Sequence, residues 1–275
     1  MKRLLTSAIG VPLVLAAVFL LKGWWFFAVM AVVMEVCAFE YVEIVRPRTP
    51  RAPLRLLLLL APVAALLLSR TLSAPVDPET LRLGLFAAVL VLSVGLGTLL
   101  LLSRTPLEET LPALGALGFG TLYFALPLSS IHLLQEIDPW LILLLLAIVW
   151  LGDTAAYYVG SRIGRHKMAP VISPKKSWEG AAAGFLTAIV ATLIWDVWRR
   201  GGLEPGLLAA AAATAVAAQI GDLVESMIKR GSGVKDSGNI LPGHGGFLDR
   251  MDAMLFAAPV LLLGLWLAGV SAPGR

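Results

Sequence analysis

Apolar runs dominate this chain, and each lies close to the roughly 20 residues that a helix needs to cross the hydrocarbon layer of a bilayer. They fall at Leu4 to Leu21, Trp24 to Val45, Leu54 to Leu72, Leu81 to Leu102, Leu111 to Ile131, Trp140 to Gly160, Trp178 to Val197, Leu207 to Val224 and Ala253 to Val270. Hydrophobic residues make up 58% of the chain and charged residues only 15%, with a mean hydropathy of +0.85, more apolar surface than one soluble core can bury. Lipid must therefore act as solvent, and backbone polar groups in lipid are satisfied within helices. The expected class is an all-α polytopic membrane protein with about nine spans. Lys2 and Arg3 before the first run resemble the start of a signal peptide, but a second run follows at once, which favours an uncleaved first helix. Cys37, the single cysteine, excludes an intramolecular disulfide and a cysteine metal cluster.

The fifth run carries Gly115, Gly118, Gly120 and Pro127, so it is the one expected to be broken or re-entrant. Alternating the nine spans puts 16 of the 22 basic residues on the side of the amino terminus, and retained cytoplasmic loops carry such an excess. The two longest polar segments after the sixth run, Ser161 to Ser177 and Glu225 to Met251, then share the cytoplasmic side and can face one site. Three blocks follow: residues 1–80 with spans one to three, 81–139 with spans four and five as the candidate dimer contact, and 140–275 as a catalytic bundle with loops at 161–177 and 225–251. Gly180, Gly184 and the run Ala209 to Ala213 are small enough to let the helices of that bundle approach closely.

From Ser226 to Asp252 the chain turns polar, glycine-rich and densely charged. Its glycines, Gly245 and Gly246 among them, free the backbone to aim N–H groups at an anion, and Lys229, Arg230, Lys235 and Arg250 add positive charge. Asp249 and Asp252 stand three apart, as do Asp222 and Glu225, so each pair shares a helix face if helices end and begin there. Carboxylates at two helix ends beside one loop suit a hard divalent cation, with magnesium the expected ion because it needs only one or two carboxylates and completes its shell with water and phosphate. The bland alternative is a basic loop resting on anionic headgroups with its aspartates paired to its own arginines. Asp153 lies in the cytoplasmic half of the sixth span with Tyr157 one turn along. In the second span Glu40 and Glu43 are expected to snorkel or to meet the loop from Arg46 to Arg55, while Glu35 is deeper and has no evident partner.

The stretch Ser226, Lys229, Arg230, Lys235, Asp236, Gly238, Pro242, His244, Gly245, Gly246, Asp249, Arg250 and Asp252, with its spacing unbroken, resembles the signature of the phosphatidate cytidylyltransferase (CDP-diacylglycerol synthase) family. Gly221-Asp222-Leu223, the loop Ser173-Pro174-Lys175-Lys176-Ser177-Trp178-Glu179-Gly180 and the element Trp150 to Tyr157 extend the resemblance upstream. In the serine-proline-lysine loop of that family a threonine is common where Ser177 stands, a departure that keeps the hydroxyl. The first half of the chain matches only in hydropathy.

The resemblance implies transfer of a cytidylyl group from CTP to phosphatidate, giving CDP-diacylglycerol and pyrophosphate, with magnesium and room for a second metal ion. It implies a multi-pass protein of the bacterial inner membrane, its site facing the cytoplasm, acting as a homodimer without nucleic acid. Asp222 and Asp249 are the expected metal ligands, with Asp252 or Asp153 as neighbouring or alternative ligands. Lys229, Arg230, Lys235, Asp236, His244 and Arg250 complete the catalytic set; Ser173, Lys175, Lys176, Ser177, Ser226, Gly245 and Gly246 form the substrate-binding set. His244 is a base only if one is needed, and phosphatidate is already anionic at neutral pH because a phosphomonoester has a second pKa of ~6. A CTP-using lipid or polyprenol kinase, or an ion-coupled transporter, are the competing readings; a kinase would release CDP in place of pyrophosphate, and a transporter would carry inverted repeats with charges in mid-span.

Overall fold

Prolines and short polar side chains start several of the helices. The structure, a computed structural model, describes residues 2–45, 57–73, 94, 98, 106–240 and 245–270. In chain order these form α1 (Lys2–Leu20), α2 (Trp24–Val45), α3 (Leu57–Ser73), α4 (Leu107–Ile137), α5 (Pro139–Ile163), a hairpin of β1 (Lys167–Ala169) and β2 (Ser173–Ser177), α6 (Trp178–Arg200), α7 (Pro205–Gly231) and α8 (Leu248–Leu267). Asp138 caps α5 by accepting from the Trp140 N–H at 3.0 Å, with Pro139 at the first helical position where its missing N–H costs nothing. Ser177 caps α6 through the Gly180 N–H, and Gly201, at φ 70°, ends that helix in the left-handed region.

Five of these helices, α4 to α8, are long and apolar enough to cross a membrane by length and composition. The helical membrane class therefore stands. The fourth run, Leu81 to Leu102, lies almost wholly outside the described residues. The fifth is one continuous helix of 31 residues from Leu107, neither broken nor re-entrant, even with Pro112 and Pro127 inside it. Helices α3 and α8 pack along it and bury much of its length, so neighbouring helices support the backbone that a proline weakens. Hydroxyls within the spans bond back to their own helix, as Thr121 does to the Leu117 carbonyl and Thr214 to the Ala210 carbonyl.

Two expected loops are shorter than the polarity suggested. The segment 161–177 begins as the last turn of α5 and then folds into the antiparallel hairpin, with Lys167 opposite Ser177 and Ala169 opposite Ser173. Helix α7 runs on to Gly231, which puts Ser226, Lys229 and Arg230 on its last turns and leaves only residues 232–247 between it and α8.

The carboxyl-terminal helices pack in two close pairs, α5 with α6 and α7 with α8. A Cβ on Gly184 would stand 2.8 Å from the Gly152 carbonyl oxygen, so the first pair touches backbone to backbone. The second does the same where a Cβ on Gly221 would stand 2.8 Å from the Asp252 carbonyl oxygen, and Ala210 continues that contact against Gly264. On the outer side of α6, Leu186, Val190, Ile194 and Val197 recur about once per turn and are exposed, an apolar stripe suited to acyl chains.

Candidate active site

Four helix termini meet at one end of the bundle: the end of α5, the start of α6 with its hairpin, the end of α7 and the start of α8. Between them lies a cavity of about 1030 Å³. Both polar segments anticipated to share a site contribute to its wall. Helix α5 supplies Asp153 and Tyr157, the hairpin supplies Lys167, Lys175, Lys176 and Ser177, α7 supplies Asp222 and Lys229, and α8 supplies Asp249, Arg250 and Asp252. Asp236, Asn239 and Gly245 close the side formed by the segment after α7.

Charges in this wall are organised as pairs that cross between elements. Lys176 of the hairpin meets Asp222 of α7 at 2.6 Å. Lys229 bridges Glu225 of its own helix and Asp249 of α8, at 2.5 Å to each. Asp249 also accepts from the Ser237 N–H at 3.2 Å and the Gly246 N–H at 3.1 Å. Asp252 lies close enough to Asp222, Glu225 and Asp153 for their charges to repel it. Like charges held together in a low-dielectric setting are costly unless a cation joins them, and such clusters mark functional sites.

The structure brings together most of the residues singled out from the sequence, though not all in the expected way. Lys229 is committed to two carboxylates. Arg230 turns away from the cavity to reach the Ile172 carbonyl oxygen at 3.4 Å and that of Val234 at 3.3 Å, bracing the hairpin against the segment after α7. Ser173, Lys235 and Gly246 are not among the lining residues, and Ser226 stands behind the wall with its hydroxyl 3.5 Å from Asp222. Ser177 lines the wall but spends its hydroxyl on the cap of α6. His244 lies outside the described residues.

Lys167 and Asn239 were missed because single polar residues in short connections carry no pattern. Glu40 was also missed. It does not snorkel: it is buried on the face of α2 that holds Cys37, Tyr41 and Ile44, and it bonds to the start of α8, while the loop from Arg46 to Arg55 lies outside the described residues. Its spacing from those apolar residues was the available signal.

Among the described residues no three of His, Cys, Asp and Glu stand as a ready chelate for a metal. Five aspartates nonetheless share one cavity with lysines that compensate two of them. That donor set suits magnesium, which takes one or two carboxylates and completes its octahedron with water and substrate phosphates.

Comparison with known proteins gives a consistent result. A model of the cytidylyltransferase family matches residues 1–268. A phosphatidate cytidylyltransferase of Pseudomonas aeruginosa is 34% identical over 99% of both chains. Proteins of the same name from Brucella suis and Staphylococcus epidermidis are 42% and 47% identical, over 52% and 44% of this chain and 54% and 46% of their own.

Proposed function

The chain belongs to the cytidylyltransferase family, and from that premise we propose that it is a membrane nucleotidyltransferase that moves the cytidylyl group of CTP onto phosphatidate. A phosphate oxygen of phosphatidate attacks the α-phosphorus of CTP; the bond from that phosphorus to the oxygen bridging to the β-phosphorus breaks, and pyrophosphate leaves with CDP-diacylglycerol as the other product. The observation that carries the reading is the convergence of lysines and aspartates from four helix ends on one cavity at the end of a lipid-facing bundle. Nucleotidyl transfer asks little covalent chemistry of a protein: it asks for positioned phosphates and neutralised charge.

Asp222 and Asp249, with Asp252 and Asp153 beside them, are the residues that would hold magnesium, which supplies charge neutralisation at the phosphates. Lys176 and Lys229 now pair with the first two of these carboxylates, so a bound polyphosphate would take over the lysines as the cation takes the carboxylates, and the cavity stays close to neutral throughout. Lys167, Lys175 and Arg250 extend the cationic wall for the remaining phosphate oxygens. The exposed ring of Tyr157, in the cavity lining on α5, offers an aromatic surface against which a diacylglycerol body could pack.

The proposal includes the bacterial inner membrane with the cavity toward the cytoplasm, supported by the distribution of basic residues, and a homodimer, supported by the family resemblance. The test is a nucleotide panel with detergent-solubilised protein and phosphatidate, following pyrophosphate. CTP-dependent, magnesium-dependent pyrophosphate release is the expected result; release of CDP, or no turnover by folded protein, would overturn the reading.

A further inference from the structure

The segment from Ser232 to Phe247 supplies part of the cavity wall, yet it is anchored by a residue from the other half of the chain. Glu40 of α2 is 3% exposed. One of its carboxylate oxygens, Oε1, accepts from the Phe247 N–H at 3.0 Å; the other, Oε2, accepts from the Leu248 N–H at 2.8 Å and from the Ser237 hydroxyl at 3.1 Å. Phe247 stands in the cap position of α8 and offers no side-chain acceptor, so the first amides of that helix would be orphaned without an outside partner. Glu40 does from a distant helix what a capping side chain ordinarily does from the next residue, with its charge at the positive end of the α8 dipole.

The contact continues to the cavity. The Ser237 hydroxyl that donates to Glu40 accepts from the Asp249 N–H at 3.3 Å, and Asp249 returns a bond to the Ser237 N–H. Both limbs of the segment, Ser237-Gly238 and Gly246-Phe247, thus close around two carboxylates, Glu40 behind and Asp249 in front. The space around Glu40 explains two glycines of this segment. A Cβ on Gly238 would have as its three nearest atoms Oε1, Cδ and Cγ of Glu40, the first at 2.5 Å. One on Gly246 would run first into the Ser237 hydroxyl that donates to Glu40 and would also stand 2.7 Å from Oε2. These glycines admit a carboxylate rather than bare their amides to a phosphate.

We infer that Glu40 is a positioning residue for the transfer reaction, acting through Ser237 and the first turn of α8 to hold Asp249 and Gly245 in the cavity wall. The inference rests on the reading of the cavity as the cytidylyl-transfer site. Its test uses the full chain in detergent, as Glu40→Gln, Glu40→Asp and a double-mutant cycle of Glu40→Ala with Gly238→Ala, read by CTP kinetics, thermal midpoint and amide hydrogen exchange. Glutamine keeps the shape but turns one acceptor into a donor facing an N–H. Its kcat should fall by ~10- to 100-fold, the size of effect that a displacement of about 1 Å produces, while the thermal midpoint moves little. Glu40→Asp should recover part of that loss. Exchange should quicken at Phe247, Leu248 and Asp249 and stay slow along the rest of α8.

In the cycle, Gly238→Ala should reduce turnover in the parent and have little further effect beside Glu40→Ala, since the clashing atoms are then gone. Unchanged exchange at Phe247 and Leu248 in Glu40→Gln, unchanged kcat, or additive effects in the cycle would overturn the role given to Glu40 while leaving the cytidylyltransferase reading intact. A parent protein that exchanges as expected but releases no pyrophosphate from CTP would overturn that reading, and the catalytic role of Glu40 with it.

Discussion

The two ends of the carboxyl-terminal bundle use the same kinds of side chain to opposite effect. At the end away from the cavity, Asp138 meets Arg199 at 3.1 Å, the Arg199 guanidinium lies 5.0 Å from the Trp140 ring centroid, and Trp198 packs edge-on against Trp140. Asp196, with no exposed surface, stands 3.5 Å from Arg200 and accepts from the Glu204 N–H at 2.6 Å. Each acid there is committed to a cation or amide nearby, under indole rings of the kind that sit at a membrane interface. At the cavity end, acids from α5, α7 and α8 face one another as well as their lysines. The first arrangement is a finished structure, whereas the second leaves charge that a substrate can complete.

Exchanging one acid at each end breaks this contrast if it is wrong. Asp222→Asn should lower the rate of pyrophosphate release by about 10² to 10³-fold, the usual cost of removing one preorganised electrostatic contact at a reacting centre, with the thermal midpoint nearly unchanged. Asp196→Asn should do the reverse: turnover within about twofold of the parent, and a loss of about 1 to 3 kcal/mol in stability because a buried partner of Arg200 loses its charge. Equal effects of the two variants on activity would mean that the cavity end is no more functional than the other.

Lys176→Met sharpens the comparison within the cavity. It removes the partner of Asp222 and one contact for a phosphate, so the KM for CTP should rise and kcat fall, together about 10- to 50-fold in kcat/KM, the order expected for one charge-assisted hydrogen bond. Arg199→Met at the far end should leave both constants alone. A variant that loses kcat with an unchanged KM for CTP would assign Lys176 to the developing charge rather than to nucleotide binding.

Legibility followed sequence distance. Helices and class could be read because an apolar run of spanning length has few alternatives in lipid, and a tight carboxyl-terminal bundle could be read from Gly180, Gly184 and the alanine run, though not that α5 pairs with α6 and α7 with α8. Asp222, Asp249, Lys175 and Lys176, which share one cavity wall, could be singled out because glycine, carboxylate and lysine are concentrated in two short segments. The hairpin Lys167–Ala169 with Ser173–Ser177 was not, since strands of three and five residues are too short to show alternation. The commitment of Lys229 to Glu225 and Asp249 depends on α7 running past Val224 to Gly231, and helix ends are where polarity misleads most. Glu40 could be seen as an acid near the end of a span but neither as buried nor as the cap of a helix that begins some 200 residues later.

A smaller effect tests whether helix contact alone joins the two ends. Gly184 in the second turn of α6 touches Gly152 in the middle of α5, so Gly184→Val must push the helices apart or shift one along the other. Overpacking of this kind costs about 1 to 3 kcal/mol, seen as a lower thermal midpoint. The same displacement would separate Asp153 of α5 from Lys176 just before α6, and would strain the Asp138–Arg199 pair, which joins the turn before α5 to the end of α6, in the same sense. If the ends are coupled only through this contact, Asp138→Asn, which alone should cost about 1 to 3 kcal/mol because it leaves the buried end of the Arg199 pair without its charge, becomes less damaging beside Gly184→Val, because the pair it removes is already weakened. Additive losses would show that each end holds its own geometry, and that the cavity keeps its charges together without help from the far side of the bundle.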